Sequence, residues 1–148
     1  MIKKLFTLLL ILLIPSMIQA EEIGFIDISV IFQKAKQVQK FQDNFKEREE
    51  EFKEQFEKKT KPIEEAIAKG KEQSEIEQMI LERDEELSPK RQELGELELS
   101  FEKNLLLDIE TYSKKIAIEY GITVVVDKRM LYYGGMDLTD LVLEKLNN

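Results

Sequence analysis

The 148-residue chain contains no cysteine, no histidine and no tryptophan. Without cysteine no disulfide can form, whatever the compartment. Without histidine the commonest acid–base group at neutral pH and the commonest metal ligand are both missing. A zinc site would rest on carboxylates alone, which zinc rarely accepts. No cofactor is expected. Glycine and proline are scarce, six and three residues, so each one that interrupts a helical pattern is a strong punctuation mark. Long apolar runs are also few. The most conspicuous, Leu5 to Ile14, is too short to cross a bilayer, which takes roughly 20 residues.

That run follows Met1-Ile2-Lys3-Lys4 and leads through Pro15-Ser16 to Ile18-Gln19-Ala20. A basic start, an apolar middle and a small final residue form the pattern of a secretory signal. Cleavage is expected after Ala20. The remaining residues carry 20 basic and 30 acidic groups, a net of −10. Such a surface repels phosphate backbones, so nucleic acid is excluded as a partner. Anionic lipid is disfavoured on the same ground.

The segment Ile23-Gly24-Phe25-Ile26-Asp27-Ile28 reads as a strand. Ser29 is placed to cap a helix beginning at Val30. Beyond it Phe41, Phe45, Phe52, Phe56, Ile63 and Ile67 recur at steps of 4, 7, 4, 7 and 4. Eleven residues per three turns lie close to a straight α-helix, so this stripe predicts a long rod with an apolar face. Pro62 predicts a kink near Thr60-Lys61 rather than an end. Gly70 predicts the turn, and Ser74 to Glu77 fits a capping box that restarts the helix.

The second rod runs to Tyr120, where Gly121 stops it. Its stripe includes Ile76, Ile80, Leu87, Leu94, Leu97, Phe101, Leu105, Ile109, Tyr112, Ile116 and Tyr120, with a second kink at Ser88-Pro89. The rods, roughly 60 and 70 Å long, should fold back as an antiparallel hairpin. The phenylalanine stripe, with Ile63, Ile67, Leu94, Phe101 and Leu105, is read as the seam between them, since helical apolar stripes usually pack. Met79, Leu99, Leu106 and Leu107 fall off the stripe. They serve equally as contacts for a bound chain or as local packing.

Ile122 to Asp127 predicts a second strand and Leu131-Tyr132-Tyr133 a third. Asp137 is placed to cap a last helix bearing Leu138, Leu141, Val142 and Leu146. Phe25, Ile26, Val124, Val125, Val126 and Leu131 are the expected core of a small body that clamps the roots of both rods. Three short strands and one helix make a thin core, so sharing the sheet between copies of the chain is expected. The organisation is then a signal over 1–20, a body from 21–29 with 121–148, and a hairpin over 30–120 with its tip near 69–74.

The order of an export signal, I-G-F-I-D-I, a charged hairpin, E-Y-G-I-T-V-V-V-D, L-Y-Y-G-G and D-L-T-D-L-V-L-E-K-L resembles the Skp/OmpH family of periplasmic chaperones over residues 21 to 148. The stretch Tyr120 to Leu146 is the most specific part. The resemblance implies an α+β, mostly helical fold: a helical tentacle on a β body, assembled as a jellyfish-shaped homotrimer. It also implies an ATP-independent periplasmic holdase, not an enzyme, whose partners are unfolded outer-membrane β-barrel proteins. The alternative is an elongated structural or adaptor protein that binds one folded partner. Well-known family members have basic tentacles. Here residues 36–120 hold 16 basic and 23 acidic groups, a net of −7, so contact with lipid or lipopolysaccharide is disfavoured.

Overall fold

The computed structural model describes residues 22–148. The leader and the cleavage point after Ala20 lie outside the described residues. The fold is mostly helical with a small strand body. Its order is β1 (Ile23–Ile26), α1 (Ile28–Lys34), α2 (Lys36–Ala68), α3 (Gln73–Glu119), β2 (Val124–Asp127), a 3-10 turn (Lys128–Met130), β3 (Met136–Asp137) and α4 (Thr139–Asn147).

The helix after β1 starts two residues earlier than Ser29 predicts. Asp27 is its cap, and its carboxylate accepts from the Val30 amide at 3.2 Å. An aspartate at the end of a strand competes for the same orphan amides as a serine two residues on. The rod is also interrupted once. Ala35 leaves the helical region (φ −68°, ψ 127°), which separates α1 from α2. No glycine or proline signals this break. Ala35 has no side chain able to cap α2, and the cap comes from the other end of the chain: Asn147 Oδ1 accepts from the Lys36 amide at 2.8 Å.

α2 and α3 lie side by side with opposite directions. Phe41 stacks on Phe101 with 3.9 Å between ring centroids, Arg48 meets Glu93 at 2.9 Å and Lys59 meets Glu86. Both helices run unbroken through their prolines, Pro62 and Pro89. At about 1.5 Å per residue they are roughly 50 and 70 Å long.

Both helices end in the same way. Gly70 and Gly121 each take φ +69°. The residue after each glycine donates back to the helix, Lys71 to the Ala66 carbonyl and Ile122 to the Ala117 carbonyl. This closure satisfies the last carbonyls, and it needs a left-handed residue that glycine adopts without steric cost. The restart differs from the expected capping box. α3 begins at Gln73 after Glu72, with no side-chain cap, and Ser74 lies inside the first turn. The tight turn leaves no extended residue at Ser74 to act as a cap.

The sheet is parallel, in the order β2-β1-β3, with Gly24 opposite Val125 and Met136. The predicted strand Leu131-Tyr132-Tyr133 is absent. Asp127 turns the chain into the 3-10 turn by accepting from the Arg129 amide at 2.9 Å. Residues 131–135 then lead to β3, whose two residues lie later than expected. The main core gathers Ile26, Ile31, Ala35, Val38, Leu105, Ile109, Ile116, Ile122, Leu138, Val142 and Leu143. It joins β1, α1, the roots of both long helices and α4. Gly24 permits the closest approach: a Cβ there would stand 2.9 Å from Leu138 Cδ1. The D-L-T-D start of α4 ties into the same corner. Asp137 accepts from the Thr139 amide, and Thr139 Oγ1 accepts from the Asp27 amide, both at 2.9 Å.

Candidate functional site

The long helices decide which apolar groups remain available. On α2, Phe41, Phe45, Phe52 and Phe56 are half-buried and Ile63 is buried. On α3, Leu105 is 1% exposed, and Leu94 and Phe101 are half-buried. These eight of the nine residues read as seam are at least half-buried. Ile67 is the exception. It is 56% exposed, and Ala66 takes its place in a small cluster with Ile63 and Ile76. The terminal turn explains this correction. The last step inward shortens from four residues to three, and a small side chain allows the helices to approach before they join.

The seam also contains polar positions that the apolar pattern does not reveal. Arg48, Lys59, Arg83 and Lys90 are half-buried between apolar turns. The stems of Arg48, Lys59 and Lys90 lie along the seam while their charged ends reach outward, whereas the Arg83 side chain is only 15% exposed. Arg48 and Lys59 reach Glu93 and Glu86, Lys90 reaches Glu51 at 3.4 Å, and Arg83 lies 4.7 Å over the Phe56 ring. Arg48 and Lys59 stand three residues after Phe45 and Phe56, and Arg83 and Lys90 three after Ile80 and Leu87, which was the available signal. Partly exposed ion pairs contribute at most about 1 kcal/mol each, so they fix register more than stability.

Met79 is half-buried against the tip cluster. It also lines a groove at Pro62 with Lys59, Glu82, Arg83 and Glu86. In that groove Lys59 pairs with Glu86. The other three off-stripe residues lie on the face of α3 turned away from the seam. Leu99 is 68% exposed, Leu107 50% and Leu106 40%. They line a shallow groove of about 480 Å³ with Glu102, Lys103 and Glu110.

The sheet has one covered and one uncovered face. Alternation along a strand sends successive side chains to opposite sides. Ile26 and Val125 meet the helical core. Ile23 and Val124, paired across the ladder, are 42% and 46% exposed. Phe25, Val126 and Leu131 are half-buried on this second side. Tyr132 and Tyr133 stand almost fully exposed beside it.

Two ion pairs close the end of the sheet. Lys128 Nζ lies 3.0 Å from Asp27 Oδ2, and Arg129 Nη2 lies 2.7 Å from Asp127 Oδ2. The Lys128 hydrogen bond, with the Val30 amide, lowers the Asp27 carboxyl below its ordinary value, and Asp27 in turn raises Lys128. Arg129 does the same to Asp127 through its side chain and its amide. These carboxylates are anchors at a strand end.

A search among curated proteins finds no match to the chain. The family model described as outer membrane protein (OmpH-like) matches residues 22–146, from the lead into β1 to the last turn of α4. The body, both long helices and the closing helix thus all fall within the match, and the chain belongs to the OmpH-like family.

Proposed function

We propose that the protein is an ATP-independent periplasmic holdase that keeps unfolded outer-membrane β-barrel proteins from aggregating in transit. The observation that carries the reading is family membership over residues 22–146, because the family is of periplasmic chaperone type. The geometry supports it in two ways. The paired helices form a slender tentacle whose outer face presents Leu99, Leu106 and Leu107 to solvent. The sheet presents a second apolar face that its own chain covers only in part, which suits a body assembled from several copies. In this reading three copies join through Phe25, Val124, Val126 and Leu131, and the tentacles enclose a cavity. Many weak apolar contacts suit a client with no fixed shape. Pro62 and Pro89 let the arms bend, so the cavity adapts to clients of different size.

The test is dilution of several unrelated urea-unfolded barrel proteins into buffer without nucleotide. With stoichiometric amounts of this protein their light scattering should stay near baseline. Unhindered aggregation of all of them sinks the reading. Tight binding of a single folded partner would point instead to an adaptor.

A further inference from the structure

The outer groove of α3 combines two properties that together select a type of client. It is apolar at its floor, where Leu99, Leu106 and Leu107 are solvent-exposed although their neighbours Phe101 and Leu105 pack inward. Its lining holds Glu102 and Glu110 against Lys103, and the stretch of helix that carries it is acidic. Residues 96–110 carry five carboxylates, Glu96, Glu98, Glu102, Asp108 and Glu110, against the single cation Lys103. Among the described residues only Glu110 of these five has an ion-pair partner, Lys114 one turn on. Five carboxylates against one lysine leave this stretch of helix with a net of −4. It is continuous with arms whose net is −7.

We infer that this groove receives unfolded segments in which apolar side chains alternate with lysine or arginine, so the preferred clients are cationic polypeptides. The inference rests on the holdase reading and names the client chemistry for that same surface. Leucines alone would hold any greasy segment, because apolar burial is non-directional. The surrounding carboxylates add the discrimination. They attract cationic segments during encounter and oppose acidic ones, and such exposed charges act mainly on association and on selectivity. The same field repels anionic head groups, so a lipid surface is a poor competitor for the groove. Salt weakens the preference, since the screening length falls from roughly 10 Å at 0.1 M to roughly 3 Å at 1 M.

Two unstructured fluorescent peptides test this with the purified full chain. They share one apolar scaffold of Leu, Val and Tyr and differ only in carrying Lys or Glu between those residues. Anisotropy titrations should show the Lys peptide binding about tenfold tighter at low salt, a margin that shrinks as salt rises. Leu106→Ser with Leu107→Ser should weaken both peptides. Glu102→Gln with Glu110→Gln should weaken the Lys peptide only. All four sites are exposed, and circular dichroism checks that each variant stays helical. Equal binding of the two peptides, or a preference for Lys that ignores these substitutions, overturns the inference. If unfolded barrels are still protected in that case, the holdase reading stands without it. If neither peptides nor barrels are held, both fall together.

Discussion

A few single residues set where the elements begin. Asp27 caps α1, holds Lys128 and donates from its own amide to Thr139 Oγ1. The sequence showed it only as part of a strand, because Lys128 and Thr139 stand more than a hundred residues away. Its carboxyl is lowered in the folded state, first by Lys128. The folded state therefore binds this proton less readily than the unfolded one. The contribution is complete above the ordinary carboxylate value of about 3.9 and is lost as pH falls through the lowered one. Asp27→Asn keeps a capping side chain but removes the charge. Its melting temperature should lie below that of the parent from pH 5 to 8, with the gap closing below about pH 4. A gap that stays constant down to pH 2 would show that the Lys128 pair is not its cause. Asn147 is the other remote residue. Its replacement by Ala leaves the Lys36 amide without an acceptor, so hydrogen exchange at the start of α2 should quicken. A cap of this kind is typically worth about 1 kcal/mol. Unchanged exchange at residues 36–39 would show that the cap is idle.

Among the elements, the long helices were the most legible. A repeat running from Phe41 to Ile67 and a glycine after each helix leave few alternatives, and both glycines took the left-handed turn that ends a helix. What stayed hidden was decided across space. The break at Ala35 comes from a cap supplied by the chain's other end. The inward turn at Ala66 comes from the closing geometry of the helix pair. The loop in place of Leu131-Tyr132-Tyr133 comes from Asp127 holding Arg129, which local strand propensity does not register. The leucines of the outer groove were visible as residues off the stripe, but their exposure was not. Leu105 and Ile67 separate seam from surface. Leu105→Ala should cost about 2–5 kcal/mol in denaturant unfolding. Ile67→Ala should fall within about 0.5 kcal/mol of the parent. Comparable losses at the two positions would contradict the placement of Ile67 outside the seam.

At the scale of the whole molecule, one chain builds a three-stranded parallel sheet and covers one face of it. Parallel sheets are ordinarily buried on both faces. Ile23 and Val124 on the uncovered side are each more than 40% exposed. Their burial by further copies joins the slender arms, the thin body and the proposed cavity in one account. The molar mass of the purified protein in solution, by light scattering across a dilution series, tests this most directly. The account predicts three protomer masses that persist on dilution and fall toward one when Val124 is replaced by Asp. A parent protein that is a stable single protomer at every concentration, with Val124→Asp no different, would contradict it.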